Sequence, residues 1–365
     1  MTNSDAGRVN APSPMEGHGA YNRSSRVQAA GLLAAAIPLL RHAAETAPLA
    51  PAPEPIVIAD YGCSEGHNSL LPMRETIAGL RQRVSISRTI SVVHTDLPSN
   101  DFSALFEALE SDPDSYLRGE QATFASAVGR SFYRQLLPSN SVTLGWSSWS
   151  VQWLSRTPAV IPDQVQVAYS HDANACAAFA RQAAEDWHAF LVHRADELRS
   201  GGQLVVLSMA KTDNGDFGYR LVIDALIGAL MDLAAEDVVS AAEIEKMAIP
   251  TYGRTRAEFT APFADSGNIA GLALASIEIF LGEDHIYEDY ERDRDAGAFG
   301  RRWAAFVRAS TFPTLAQALE GGGEERAERF YDLLEARLAA RLAAAPGPNA
   351  IPLAKLLLVK RGNAG

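Results

Sequence analysis

Two kinds of apolar patterning alternate along the first half of the chain. Short apolar runs bounded by turn residues predict buried strands, and longer stretches with apolar residues three and four apart predict helices. Ile56-Val57-Ile58-Ala59 is a run of the first kind and ends in Asp60-Tyr61-Gly62. Asn68 to Val84 follows with helical spacing through Leu71, Ile77, Leu80 and Val84. Thr89 to His94 predicts a second strand ending at Asp96, then a short helix carries Leu105, Phe106 and Leu109 on one face, and Ser141 to Trp146 reads as another strand. Ala173 to Leu198 predicts a long helix with Cys176, Phe179, Ala183, Trp187, Phe190 and Leu191 on one stripe. Gly201-Gly202 is expected to stop it, and Leu204 to Leu207 is the next strand. This alternation predicts an α/β fold, an open sheet with helices on both faces.

The flanks read differently. Met1 to Pro14 predicts a disordered leader, Gln28 to Ala44 an Ala/Leu-rich helix, and Pro48, Pro51, Pro53 and Pro55 a loop that cannot continue it. After Thr212 the strand signals fade. Tyr219 to Leu233, Ala241 to Met247 and Phe299 to Ala309 predict helices, so the stretch from about Gly215 to Ala344 is expected to be mostly helical, before a last strand at Leu353 to Val359.

Composition narrows the function classes. The 365 residues are 47% hydrophobic and 21% charged, ordinary for a globular chain. A net charge of −12 argues against a basic nucleic-acid footprint. Two cysteines, Cys63 and Cys176, imply a reducing compartment rather than a disulfide framework. The apolar run from Ala29 to Leu40 is interrupted by Pro38 and falls short of the roughly 18 residues a membrane span needs. It also follows a polar leader with Asp5, Arg8 and Glu16, unlike a signal peptide. The expectation is a cytoplasmic protein without membrane or nucleic-acid partners.

In an open α/β sheet, ligands bind beyond the carboxyl ends of the strands. The first such end reads Asp60-Tyr61-Gly62-Cys63-Ser64-Glu65-Gly66-His67-Asn68. Its glycines allow a tight turn, but Ser64 stands where the dinucleotide fingerprint needs glycine. Asp60 suits a cationic ammonium and is badly placed beside a phosphate. Asp96 can accept from both hydroxyls of a ribose. The pattern favours S-adenosylmethionine over a nicotinamide dinucleotide; a tight turn without a ligand is the plain alternative. Ser131-Phe132-Tyr133 offers rings for a flat base or for core packing. Trp146, Trp149 and Trp153 are three of five tryptophans, and with Gln152 they suit an apolar pocket with few polar contacts. His67 and His94 are read as structural.

Four blocks together resemble the SABATH family of S-adenosylmethionine-dependent carboxyl methyltransferases. Ile58 to Leu70 resembles its A-D-L-G-C-S-S-G-P-N-x-L, and Thr95 to Phe102 its N-D-L-P-x-N-D-F. Ser131 to Ser141 resembles S-F-Y-x-R-L-F-P-x-N-S, and Ser147 to Ser155 resembles S-S-Y-S-L-x-W-L-S. Ile249-Pro250-Thr251-Tyr252 is similar to I-P-x-Y, and Tyr21, Ser25 and Gln28 to S-Y-x-x-N-S-x-x-Q. The resemblance implies a Rossmann-like methyltransferase sheet with a mostly helical cap. It divides the chain into a leader (1–14), a segment closing over the active site (15–55), a cofactor-binding core (56–214), a substrate cap (215–350) and a final strand and tail (351–365). It also implies a homodimer.

For the cofactor the resemblance implies contacts from Tyr21, Ser25, Asp60, Gly62, Cys63, Asn68, Asp96, Leu97, Ser131, Phe132 and Ser147. For the substrate it implies Gln28, Trp149, Gln152, Trp153, Ile223 and Ile351. Gln28 and Trp153 orient the carboxylate, and no general base is needed. Gln152 stands where salicylate-type members have methionine and alkaloid-type members histidine. Ile223 and Ile351 replace a tryptophan and a phenylalanine, which predicts tolerance of medium-chain aliphatic acids beside ring acids. The family's D-x-F-N is replaced by Glu245-Lys246-Met247-Ala248, so no metal is expected. The expected activity is methyl-ester formation on a small-molecule acid. N-methylation of a heterocycle, a nicotinamide-dependent dehydrogenase and a non-catalytic nucleoside-binding protein are the alternatives.

Overall fold

The computed structural model describes residues 35–362. Seven strands form one sheet: β1 (Ile56–Tyr61), β2 (Ile90–Asp96), β3 (Thr123–Gly129), β4 (Val142–Ser148), β5 (Leu198–Met209), β6 (Leu272–Leu281) and β7 (Pro352–Lys360), in the order β3-β2-β1-β4-β5-β7-β6. β1 to β5 pair in parallel, and β7 inserts antiparallel between β5 and β6. The strand order reverses beside β1, so the ends of β1, β2 and β4 open on one edge, where ligands of such sheets bind.

Before β1 lies α1 (Ile37–Thr46), with Pro38 in its first turn, where a missing N–H costs nothing. It packs on α2 (His67–Arg81), where a Cβ on Gly79 would sit 2.8 Å from the Ala44 methyl. α3 (Phe102–Ser111) starts where Asp101 accepts from the Ala104 N–H at 3.0 Å, and α4 (Ala173–Glu197) where Asp172 accepts from Ala175 at 2.7 Å. β5 leaves α4 without a loop. Gly201-Gly202 therefore lies inside β5 rather than ending the helix. The pairing with β4 slips between Val142 and Leu144 beside it, and a Cβ on Gly202 would meet the Val142 and Thr143 carbonyls at 3.0 and 3.2 Å.

The later part holds α5 (Arg220–Ala235), α6 (Ala241–Lys246), α7 (Arg256–Thr260), α8 (His285–Asp293), α9 (Ala296–Ala316) and α10 (Gly323–Ala344). Val222, Leu226, Trp303, Val307, Phe330 and Leu338 are buried together in this helical layer. Arg341 on α10 forks onto the Asp232 carboxylate of α5 at 2.6 and 2.7 Å. The stretch is not wholly helical, because β6 lies within it and forms the far edge of the sheet. No described helix is long and apolar enough to cross a membrane.

Candidate active site

The chain leaves β1 through a left-handed turn. Gly62, Ser64 and Gly66 have φ of 87°, 49° and 86°. The Gly62 and Cys63 N–H groups both donate to the Thr95 carbonyl, at 2.8 and 3.0 Å, which ties the turn to β2. A Cβ on Gly62 would lie 2.1 Å from Ser150 Oγ and 3.6 Å from the Phe132 ring. Only glycine therefore fits both the conformation and the space. Gly66 likewise faces Leu105, 2.3 Å from where its Cβ would be.

Two carboxylates border this turn. Asp96, at the end of β2, accepts from the Ser64 N–H and the Leu97 N–H, each at 2.7 Å. Burial pushes its carboxyl up to about 6, against the pull of those two donors. Asp60 is buried, and its Oδ2 accepts from Ser69 Oγ at 2.6 Å and lies 2.8 Å from His94 Nδ1. His94 Nε2 in turn meets the Tyr116 hydroxyl at 2.8 Å. His94 thus has a close carboxylate partner that its sequence position did not reveal, and Cys63 Sγ completes a group of three potential ligand atoms within 4.8 Å. Burial and the neighbouring carboxylates push the Cys63 thiol up, so it stays neutral.

On the other side of the turn, Phe132 sits half-buried, edge-on to Phe190 and Tyr133. A buried ion pair holds its loop. Arg194 donates to the carbonyls of Phe132 and Arg134 at 2.7 and 2.9 Å, and Glu197 accepts from the N–H groups of Leu136 and Leu137 and from the Tyr61 hydroxyl.

Beyond β4 an apolar pocket of about 690 Å³, counting its open mouth, lies between the sheet edge and the helical layer. Trp149, Gln152 and Trp153 form one wall, with Ile223 and Leu226 of α5 and Phe306, Val307, Ser310 and Thr311 of α9 on others; Met209, Phe217 and Tyr219 also line it. No charged side chain lines it among the described residues. Trp149 has φ of 55° and donates its backbone N–H to the Leu207 carbonyl at 2.9 Å. Trp153 is half-buried; its carbonyl accepts from the Tyr133 hydroxyl at 2.5 Å, and no described residue accepts from its indole N–H.

Comparison with known proteins decides what this pairing of an acidic turn and an apolar pocket belongs to. Residues 13–354 match the family model described as SAM dependent carboxyl methyltransferase. The chain belongs to this family. It is 29% identical over 244 residues to Methyltransferase FUS9 of Gibberella moniliformis, spanning 66% of this chain and 64% of that one. It is 29% identical over 328 residues to the salicylate/benzoate carboxyl methyltransferase of Arabidopsis thaliana, spanning 87% of this chain and 84% of that one. A solved loganic acid methyltransferase with SAH superposes with a TM-score of 0.76 at 22% identity, over 96% of this chain and 99% of that one, and shares the fold.

The methyltransferase's cofactor is S-adenosylmethionine, and the strand ends fit it. Residues 60–69 contain carboxylates and no lysine or arginine. That donor set repels a diphosphate and accepts a sulfonium, an ammonium and ribose hydroxyls. The end of β4 also carries Ser148 Oγ, buried and without a partner among the described residues. The neighbouring Ser147 was the serine singled out from the sequence, but it points the other way: it is fully buried and donates to the Tyr61 carbonyl at 2.9 Å.

Of the other expected site residues, Asp60, Gly62, Cys63, Asn68, Asp96 and Leu97 belong to the ends of β1 and β2 and the start of α2. Phe132 faces the Gly62 turn, with Ser131 beside it in the chain, whereas Trp149, Gln152, Trp153 and Ile223 gather at the pocket. Tyr21, Ser25 and Gln28 lie outside the described residues. One expectation needs correction. Ile351 is buried in the helical layer's core, its carbonyl accepting from Gly282, and it does not line the pocket. Gln152 lines the pocket as expected; its Nε2 donates one N–H to the Trp149 carbonyl at 2.5 Å and its Oε1 accepts from Ser208 Oγ at 3.1 Å, and the second N–H of the amide is not used in these bonds. It holds the Trp149 turn in place. The rings expected to be missing from the walls are supplied by Phe217, Tyr219 and Phe306, three residues to which no sequence signal pointed. Ser310 and Thr311 escaped because the helix was expected to end at Ala309, yet α9 runs through Pro313 to Ala316.

Proposed function

We propose that this methyltransferase esterifies a small carboxylic acid with an apolar body, aromatic or medium-chain aliphatic, seated in the pocket below Trp149 and Trp153. The observation that carries this reading is an uncharged pocket lined by Trp149 and Trp153, with an indole N–H on Trp153 from which no described residue accepts. A carboxyl group with an ordinary pKa of about 4 is already ionised at neutral pH, so it attacks without a general base. When bound, S-adenosylmethionine supplies an electrophilic methyl group on a sulfonium. What remains for the chain is positioning: holding one carboxylate oxygen in line at about 3–3.5 Å. Trp153 Nε1–H is the donor to the other oxygen, with Gln28 as its partner. Neutral donors orient the carboxylate without the strong charge-assisted pairing of an arginine, which would blunt its nucleophilicity. Aliphatic positions such as Val222, Ile223, Leu226 and Val307 bury methylenes, worth about 0.8 kcal/mol each, while Phe217, Tyr219 and Phe306 offer edges and faces to a ring.

The test compares kcat/KM for benzoate, salicylate and octanoate in the parent and in Trp153→Phe. The reading expects the three acids to fall within about a hundredfold of one another, roughly 2.7 kcal/mol in transition-state binding. It expects Trp153→Phe to depress turnover about tenfold on all of them, with S-adenosylhomocysteine affinity unchanged. Loss of cofactor affinity with turnover preserved reverses the assignment of Trp153.

A further inference from the structure

The Asp60–His94–Tyr116 chain is fully buried and lies beneath the cofactor turn rather than in the substrate pocket. The Tyr116 hydroxyl meets only His94 Nε2 among the described residues, so its proton goes there. Burial and the Asp60 charge raise the phenol's pKa, which keeps that proton in place at neutral pH. With the hydroxyl donating to Nε2, the N–H on Nδ1 is aimed at Asp60 Oδ2 at 2.8 Å. Ser69 Oγ donates to the same oxygen at 2.6 Å. Both donors converge on Oδ2, while Oδ1 takes no hydrogen bond from any described side chain or backbone group. The carboxylate is therefore locked in orientation with one oxygen spent and one kept open. Asp60 belongs to β1, His94 to β2 and Ser69 to α2, and Tyr116 follows α3, so four segments are committed to this one orientation.

We propose that His94 and Tyr116 are positioning residues that hold Asp60 Oδ1 toward the ammonium end of the cofactor. The proposal rests on the reading of Asp60 as the group serving the amino-acid end of S-adenosylmethionine. Its consequence is selective: the chain discriminates ligands that carry the amino-acid tail from those that lack it. S-adenosylhomocysteine has the tail, and 5′-methylthioadenosine has the same nucleoside without it.

Calorimetric affinities for these two ligands form the test, with His94→Leu, His94→Asn, Tyr116→Phe and Asp60→Asn. His94→Leu removes the Nδ1 donor and is expected to weaken S-adenosylhomocysteine about tenfold while leaving methylthioadenosine within about twofold. His94→Asn restores an N–H near the Nδ1 position and is expected to recover most of the loss. Tyr116→Phe frees the tautomer and is expected to give a smaller loss of the same selective kind, and it carries the test alone if His94→Leu does not fold. Equal losses for both ligands, or no recovery by asparagine, mark a merely structural role and overturn the proposal. Asp60→Asn separates the two layers. If it leaves the preference for the tailed ligand unchanged, the underlying reading of Asp60 fails; if it abolishes the preference while the His94 and Tyr116 variants keep it, only the positioning proposal fails.

Discussion

Asp96 offers a sharp pH prediction. Its carboxyl sits at about 6 in the free protein, raised from 3.8 by burial and only partly held down by the Ser64 and Leu97 N–H groups. Because the folded-state value lies above the unfolded one, this group favours folding when protonated. Its contribution to stability falls as pH rises from about 4 to about 6 and is level above that. On the assignment of Asp96 to the ribose diol, cofactor binding is expected to have the opposite preference, since only the carboxylate can accept from both hydroxyls. At about pH 5 roughly one molecule in eleven has Asp96 ionised, against nearly all at about pH 7.5. The dissociation constant of S-adenosylhomocysteine is therefore expected to rise about tenfold between those two values, a cost near 1.4 kcal/mol. Asp96→Asn cannot titrate; its affinity should be weaker at pH 7.5 by about tenfold, the loss of a charge-assisted hydrogen bond, and this residue's share of the pH slope should vanish. Calorimetry across the range, on both proteins, measures the difference. An Asn variant with the parent's slope, or a parent without one, refutes the assignment of Asp96 to the ribose.

The other predictions address the turn, the pocket wall and the helical layer. Gly62→Ala puts a methyl 2.1 Å from Ser150 Oγ at φ 87°, so it should abolish S-adenosylhomocysteine binding measured by calorimetry while the far helices remain folded by circular dichroism. Gln152→Met strands the Trp149 carbonyl and leaves the Ser208 hydroxyl only its 3.2 Å contact with the Met209 carbonyl; it should lower stability by about 1–3 kcal/mol in a denaturant melt, and an unchanged midpoint would show that these bonds carry nothing. Arg326 hydrogen-bonds Glu243 and holds its carboxyl down at about 2, below its ordinary 4.5. Stability from that pair is present above about pH 4.5 and lost as pH falls through about 2, so Arg326→Met should flatten the acid limb of the stability profile.

How far the sequence carries depends on burial. β1, β2, β4, β5 and β7 are legible because interior strands covered on both faces read as unbroken apolar runs such as Ile56-Val57-Ile58-Ala59. β3 and β6 are the two edges of the sheet. Thr123–Gly129 is built largely of small residues and exposes Phe124, and Leu272–Leu281 exposes positions on both sides, so neither run stands out from its surroundings. The turns at the ends of β1 and β2 are equally legible, since their residues are contiguous in sequence and their glycines are forced by backbone conformation. The pocket is not. Phe217, Tyr219, Phe306 and Thr311 meet Trp149 only after two helices fold across the sheet, and nothing local in their neighbourhoods distinguishes them from core residues. Ile351 fails for the converse reason: its apolar character suits a pocket wall and a core equally, and the fold uses it as core. Ser147 and Ser148 differ only in strand parity, which a motif does not show.

The central claim is methyl transfer to a carboxylate oxygen, and product identity tests it most directly. Incubation of the protein with methyl-labelled S-adenosylmethionine and a panel of benzoate-like and medium-chain acids, followed by mass spectrometry, locates the label. The account predicts labelled methyl esters that release labelled methanol on mild alkaline hydrolysis, formed by the parent and strongly reduced in Trp153→Phe. Label resistant to hydrolysis, on nitrogen or carbon, or cofactor binding without any turnover across the panel, would contradict it.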